Sequence, residues 1–207
     1  MPSPELWDIS RPLAATTAGW PGDVPYRFTL SWSQAAGASV NVGAVETSVH
    51  AGTHCDAPFH FDPAGTTVER LPLAAFLGPC RVIDVPAGCD NWLSLVGEGD
   101  APRLLFKTGG WPDSMRFPAS IPTIRPEHAA ELAARGMTLF GVDLPSVDPL
   151  DSTTLAVHHA LNGGGVAILE GLWLADVSAG RYELIALPLP LVGADGSPVR
   201  AVLRPIT

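Results

Sequence analysis

Three histidines and one aspartate lie within eleven residues of this chain, in the stretch His-Ala-Gly-Thr-His-Cys-Asp-Ala-Pro-Phe-His at positions 50–60. His50, His54, Asp56 and His60 all occupy even positions, and alternate side chains of an extended chain lie on one face. A helix would separate these groups, and the glycine and proline within the stretch disfavour one. Neutral imidazole and carboxylate groups suit zinc and related divalent metals. We therefore expect an extended segment whose four side chains meet at a metal-binding active site.

More groups that could bind a metal occur downstream, in the pair His158-His159 and at Glu170. Glu170 follows the apolar run 166–169, where a carboxylate is costly to bury unless another group pairs with it. One of the two histidines and Glu170, with Asp56 as a bridge, would complete a second metal site. Two ions about 3.5–4 Å apart recur in hydrolytic enzymes. His60 then remains for general acid/base chemistry, since imidazole titrates near neutral pH.

These groups need strands and helices to position them. Alternating residues at 45–49 predict a strand that ends at His50. A helix is predicted over 126–135, with Gly136 as its C-terminal cap, and a second one with Asp151 as its N-cap. The pattern therefore predicts an α/β fold with a mixed, barrel-like β-sheet and a few outer helices. Further strands are predicted at 80–85, 103–107, 139–142, 166–169, 182–187 and 198–203.

The composition limits the class of protein. A chain of 207 residues, of which 46% are hydrophobic, is predicted to form one domain over 1–207 with a substantial core. A net charge of −9 argues against nucleic-acid partners and against a peripheral membrane role. Three cysteines without a CxxC pair suit a reducing compartment. With no basic region followed by an apolar run at the amino terminus, we expect a cytoplasmic protein.

The string His-x-Gly-Thr-His-x-Asp-x-Pro-x-His resembles the signature of the cyclase-like metal-dependent hydrolases. The resemblance covers nearly the whole chain and includes Trp-Asp-Ile-Ser at 7–10, Gly-Trp-Pro-Gly-Asp at 19–23 and Ala-Ile-Leu-Glu-Gly at 167–171. It also includes the segments 41–43, 141–149, 182–189 and 197–202. The fold that this resemblance implies is a compact, swivelling β/β/α-like domain, and the implied assembly is a homodimer.

The resemblance also implies roles for particular residues. It implies two zinc ions per subunit, held by His50, His54, Asp56, His158 and Glu170. Asp56 is the implied bridge, His60 the catalytic histidine, and Trp20 the residue that packs on an aromatic substrate. Of the two adjacent histidines, His158 fits the family spacing of twelve residues before the glutamate. Manganese, iron or cobalt are alternatives to zinc, because the same groups also bind them.

The implied activity is that of an amidohydrolase acting through a metal-activated water on a small aromatic formamide. Its substrate would be N-formyl-L-kynurenine and its products L-kynurenine and formate, a step of tryptophan degradation. Two alternatives remain. One is a related hydrolase of a cyclic amide such as isatin, and the other is a non-catalytic protein that binds metal or a small ligand.

Other residues near these motifs are expected to have no part in the chemistry. Cys55 lies at an odd position within the motif and is expected to be a buried structural thiol. Asp143 and Asp148 are expected to be structural, and His128 to be solvated on its helix. His159 is expected to point away from the site, where it could support it only indirectly.

Overall fold

The computed structural model of the chain describes residues 6–206. Residues 1–5, part of the amino-terminal segment assessed for a leader sequence, lie outside the described residues, as does residue 207. Two α-helices are present in the described part, α1 (Pro126–Ala134) and α2 (Ala156–Gly163). The strands are β1 (Trp7–Asp8), β2 (Arg27–Trp32), β3 (Val42–Glu46), β4 (His54–Asp56), β5 (Leu77–Asp84), β6 (Arg103–Lys107), β7 (Leu139–Val142), β8 (Ala167–Glu170), β9 (Gly180–Ile185), β10 (Gly196–Pro198) and β11 (Val202–Pro205).

Nine of the strands form one mixed sheet in the order β1-β11-β9-β5-β6-β7-β8-β4-β10. Strands β5 to β8 are parallel to one another, and the outer strands pair antiparallel. The sheet curls into a half-barrel, with helices α1 and α2 packed against each other. The predicted class, α/β with a mixed, barrel-like sheet and a few helices, is confirmed.

Buried side chains form two hydrophobic clusters, as expected for a sheet with apolar residues on both faces. One contains Ile9, Cys55 and Leu169, and the other contains Phe106, Phe140 and residues of both helices. Strand β8 contributes to both clusters, so its carboxyl end, Glu170, is fixed by packing on either side. Among residues 6–206, no helix is long and apolar enough to cross a membrane.

The segment 50–60 is not one extended run, so that prediction was wrong. Only His54–Asp56 is a strand. The preceding strand ends at Glu46 rather than at His50, and His50 lies in a turn. A glycine in the left-handed region, Gly52 at φ +65°, then redirects the chain, and His60 lies in a 3-10 helix that starts at Pro58. The proline that disfavours an α-helix is well suited to the first position of this short one.

Helix α1 agrees with its prediction to within one residue, and Gly136 has the expected left-handed conformation at φ +92°. Helix α2 starts later than predicted, and Asp151 is not its N-cap. Its first residue follows Leu155, the only non-glycine with a positive φ (+46°) among the described residues. The backbone N–H of Leu155 donates to the hydroxyl of Ser152, which therefore closes the turn before the helix.

Five predicted strands lie close to observed ones, and 103–107 and 139–142 match them in full. The predicted strand at 198–203 was wrong, because the chain breaks there into β10 and β11, which pair with different partners. The sequence reading also missed β2, whose side chains are exposed along its whole length. An exposed strand lacks the alternation of buried and exposed residues on which such predictions depend.

Candidate active site

Three neighbouring strands bring the first groups of the site together. Strand β4 lies between β8 and β10 in the sheet. Its register with β8 places His54 opposite Glu170, two residues that are 116 positions apart in sequence. Its register with β10 places Asp56 opposite Gly196. His54, Asp56 and Glu170 are all buried, so the sheet holds one imidazole and two carboxylates in a region from which water is largely excluded.

The turn that carries His50 is fastened to the end of β8. Thr53 donates its hydroxyl to the carbonyl oxygen of Gly171 at 2.6 Å. A side chain on Gly171, which has φ +66°, would overlap the carbonyl oxygen of Gly52. Only glycine allows so close an approach of the two backbones. This contact explains how His50, outside any strand, reaches the groups on β4.

Three sets of three potential metal ligands result among the described residues, and Asp56 belongs to two of them. In each set the ligand atoms lie within 4.8 Å of one another. In the first, Asp56 Oδ1 lies 2.9 Å from His50 Nδ1 and 3.4 Å from His54 Nε2. In the second, Asp56 Oδ2 lies 3.4 Å from His158 Nε2, which is 3.7 Å from Glu170 Oε1. Asp56 thus lies between these two sets, and the third set consists of His50, His60 and Asp195.

Each imidazole in the two sets that share Asp56 has an acceptor at its other ring nitrogen. His158 Nδ1 lies 2.6 Å from Asp148 Oδ2, and His54 Nδ1 lies 3.1 Å from the carbonyl oxygen of Gly52. His50 Nε2 lies 2.9 Å from Asp195 Oδ2. Such acceptors fix the tautomer of a metal-binding histidine and orient its ring.

The electrostatics follow from this crowding of acids and imidazoles. Burial alone would lower the pKa of each histidine, but hydrogen bonds to the carboxylates outweigh it. The pKa rises to about 9 for His50, about 10 for His54 and about 10 for His158. Burial would raise the pKa of Asp56, but hydrogen bonds from the three histidines lower it well below its usual value. Without a cation, the histidines therefore hold protons that a metal would replace.

His60 differs from the three histidines in the two sets that share Asp56. Its side chain is one-third exposed, and its ring lies 4.0 Å from that of His50 and 6.0 Å from that of His158, between centroids. Burial is the main cause that lowers its pKa below the usual value. His60 is therefore neutral at pH 7, and its ring lies beside the cluster and lines the cavity above it.

A cavity of about 230 Å³ opens above the cluster, somewhat smaller than most small-molecule sites. His54, His60, His158 and Glu170 lie at its polar end, and Trp20, Trp111 and Phe117 line the rest. Trp20 is 41% exposed and packs edge to face on Phe117 at 5.2 Å. The cavity therefore has room for a flat apolar group next to the polar cluster.

The remaining candidates lie apart from the cluster. His159 is exposed on α2, next to the ring of Phe61, so the structure brings His158 and not His159 into the site. Cys55 is fully buried in the core, and burial raises its pKa to about 12, as befits an inert thiol. Asp143 accepts hydrogen bonds from Thr108 and Gly109, which is a structural role. His128 is on α1, away from the cavity residues.

Sequence reasoning missed two acidic residues. Asp148 was assigned a structural role only, yet it binds the ring of His158 and accepts the N–H groups of Val157 and His158 at the start of α2. The signal that the sequence offered was an aspartate ten residues before a candidate ligand. Asp195 had no signal, because it is 145 residues from His50 and only the sheet brings them together.

Comparisons with known proteins agree with this architecture. The model of the family described as "Putative cyclase" matches residues 7–149. The kynurenine formamidase of Bacillus cereus is 49% identical over the full length of both chains. That of Geobacillus thermodenitrificans is 50% identical over 95% of this chain and 96% of its own. A solved structure of a predicted metal-dependent hydrolase from Bacillus stearothermophilus superposes with a TM-score of 0.80 at 30% identity, covering 96% of this chain and 97% of that one.

The family match includes the segment 50–60, and the full-length relatives extend it over α2 and β8. The resemblance drawn from the motif is therefore confirmed. The chain belongs to the cyclase family of metal-dependent hydrolases, with the bacterial kynurenine formamidases among its relatives.

Proposed function

We propose that the chain is a metal-dependent arylformamidase that hydrolyses N-formyl-L-kynurenine to L-kynurenine and formate, a step of tryptophan degradation. The observation that carries the proposal is the pair of imidazole and carboxylate sets that share Asp56, at one end of a cavity lined by aromatic rings. The full-length similarity to kynurenine formamidases supports this substrate among those that such a site could accept.

Two divalent cations fit the donor groups, and zinc is the ion we propose. The first would be held by His50 Nδ1, His54 Nε2 and Asp56 Oδ1, and the second by Asp56 Oδ2, His158 Nε2 and Glu170. Imidazole nitrogen and carboxylate oxygen are common zinc ligands. Among the described residues, Asp56 Oδ2 is one of few buried polar side-chain atoms that lack a well-oriented hydrogen-bond partner. A buried carboxylate oxygen in that state is explained if a cation is its partner.

When bound, the cations would supply Lewis-acid activation of a water molecule and of the formyl carbonyl group. The chain itself must move the proton. His60 is neutral at pH 7, so it can accept a proton from the attacking water. It then donates that proton to the departing aniline nitrogen, which is a poor leaving group as an anion. The free amine and formic acid result, and the acid loses its proton to solvent to give formate.

The aromatic part of the substrate would lie against Trp20. The indole is 41% exposed, and its contact with Phe117 fixes its orientation. Offset or edge-to-face packing of aromatic rings contributes about 0.5–1.5 kcal/mol beyond the burial of area. Packing of the aryl ring there would place the formamide group at the polar end of the cavity.

Chelation tests this function. We expect dialysis against a chelator to abolish hydrolysis of N-formylkynurenine, and added zinc to restore it. Isatin measured in parallel tests the cyclic-amide alternative, and faster turnover of isatin would favour that alternative. Zinc binding without hydrolysis of any formamide would show a non-catalytic binding protein. Activity that survives complete metal removal would contradict the proposal.

We also propose that the protein is a homodimer, because β2 and β3 form an exposed ribbon outside the main sheet. Phe28, Leu30 and Val45 are 48–58% exposed on one face of it. A contiguous exposed apolar patch marks a surface for association, and an isolated two-stranded hairpin is marginally stable in water.

The reducing cytoplasm is the proposed compartment, since Cys55, Cys80 and Cys89 are all free.

A further inference from the structure

Asp195 lies beside two histidines of the site. Its Oδ2 atom is 2.9 Å from His50 Nε2 and 3.4 Å from His60 Nδ1. The rings of His50 and His60 pack on each other at 4.0 Å between centroids, so one carboxylate oxygen faces both ring edges. A carboxylate oxygen can accept two hydrogen bonds. Among the described residues, Asp195 is the only carboxylate within 4.0 Å of His60.

The backbone of Asp195 is held rigidly relative to the motif. Its carbonyl oxygen accepts a hydrogen bond from the N–H of Ala57 at 2.8 Å. The next residue, Gly196, starts β10 opposite Asp56. A side chain on Gly196 would come within 2.9 Å of the His50 ring, so the glycine leaves room for that ring. A residue that directly precedes a strand and is hydrogen-bonded to the motif in this way positions its partners more precisely than one on a free loop.

The position of this carboxylate decides which nitrogen of each ring carries the proton. A neutral imidazole has one N–H and one bare nitrogen. If His60 donates its Nδ1–H to Asp195, the bare nitrogen is Nε2, on the far side of the ring. If His50 donates its Nε2–H to Asp195, the bare nitrogen is Nδ1, which faces Asp56. These tautomers suit the proposed roles of both rings. His60 needs a bare nitrogen to accept a proton, and His50 needs a bare nitrogen to bind a metal.

We propose that Asp195 is a positioning residue that fixes the tautomer and ring orientation of His60 during proton transfer, while it supports His50 as a metal ligand. The proposal rests on the formamidase function proposed above.

Asp148 provides the contrast within the same chain. Its carboxylate accepts from Nδ1 of His158 at 2.6 Å and from the N–H groups of Val157 and His158, and in the described part of the chain it makes no hydrogen bond to His60. Loss of Asp148 should therefore weaken metal binding without altering the proton step.

A leaving-group series separates these two roles. The zinc-loaded wild type, Asp195→Asn and Asp148→Asn are assayed on formanilides with para-nitro, unsubstituted and para-methoxy rings, and zinc content is measured in each preparation. We expect Asp195→Asn at saturating zinc to keep both ions and a KM close to that of the wild type. Its kcat should fall about 10- to 100-fold on formanilide, the usual loss for a residue that supports a site indirectly. The loss should be smaller for the nitro compound, whose amine departs with less help from a proton.

Asp148→Asn should bind zinc more weakly and, once saturated, show the same dependence on leaving group as the wild type. Asp195→Glu keeps an acceptor and should retain part of the rate with the wild-type dependence. An equal loss across the series in Asp195→Asn, or a loss that only follows zinc content, would overturn the proposal and leave the formamidase function standing. Failure of the wild type to hydrolyse any member would instead overturn the function, and this inference with it.

Discussion

At the scale of single residues, the acceptor behind each imidazole determines what the ring can do. His158 with Asp148, and His54 with the carbonyl oxygen of Gly52, each present one nitrogen to the shared carboxylate Asp56. His60 lacks so close an acceptor, its contact with Asp195 being 3.4 Å long. Asp195 can therefore orient the ring of His60 without a short hydrogen bond, which supports ligand roles for the first group and a role in proton transfer for His60.

Replacement of His60 separates catalysis from metal binding. His60→Ala should retain both metal ions, because His60 belongs to neither of the two sets that share Asp56. Its kcat should fall by about 10²- to 10⁴-fold, the usual contribution of a general acid or base. Metal analysis and steady-state kinetics on the same preparation check this. His159→Ala, a change to the exposed neighbour on α2, is the control and should keep full activity. If His60→Ala loses metal as well, His60 is a ligand.

Metal binding should release protons. The pKa values of His50, His54 and His158 lie at about 9 to 10 in the metal-free chain, so all three rings are protonated at pH 7. Since a raised pKa keeps the proton bound up to that pH, zinc must displace it, and the apparent zinc affinity should rise with pH. Titration calorimetry in buffers of different ionisation enthalpy should show roughly three protons released by these rings per chain. A binding heat independent of the buffer would contradict this account.

At the scale of elements, local signals were sufficient where the chain is regular. The strands at 103–107 and 139–142 and helix α1 follow from apolar runs and from Pro126 and Gly136. The sequence also predicted that four side chains lie close together, those of His50, His54, Asp56 and His60. It did not predict the backbone that brings them together, because a turn and a 3-10 helix replace the expected extended run. The role of Asp195 depends on the pairing of β10 with β4, a long-range register that no local pattern encodes.

The contact between Gly171 and the turn at Gly52 should be critical for stability. Gly171→Ala would place a methyl group against the carbonyl oxygen of Gly52 at a positive φ. We expect a loss of about 3 kcal/mol or more in the free energy of unfolding, the sum of left-handed strain and overpacking. The control is Gly136→Ala, which has the same kind of φ but no neighbour within 4 Å. It should lose only about 1–2 kcal/mol.

Chemical denaturation of the two metal-free variants measures this difference. Equal losses would mean that the turn moves freely to accept the methyl group. The turn would then not be held by β8, and the placement of His50 would need another explanation.

At the scale of the whole molecule, the ribbon of β2 and β3 connects the site to the proposed dimer. It follows the cavity residue Trp20 and precedes His50 in the chain. Light scattering should give twice the 21.7 kDa mass of one chain. Leu30→Arg, on the face that carries Phe28 and Val45, should shift the protein to monomers, because it places a charge in the apolar contact.

Thr29→Arg is the matched control for this change. Thr29 is the adjacent residue and faces the other side of the ribbon, opposite Ala44. It should leave the mass unchanged. A monomeric wild type, or equal dissociation of both variants, would contradict the proposal that this apolar face joins two copies.

Anomalous scattering from crystals grown with zinc tests most directly whether the groups around Asp56 hold two cations. Data collected on both sides of the zinc absorption edge should show two peaks about 3.5–4 Å apart. One should lie among His50, His54 and Asp56, and the other among Asp56, His158 and Glu170. A zinc-saturated crystal with no anomalous peak at Asp56, and with these side chains turned away from one another, would contradict the account.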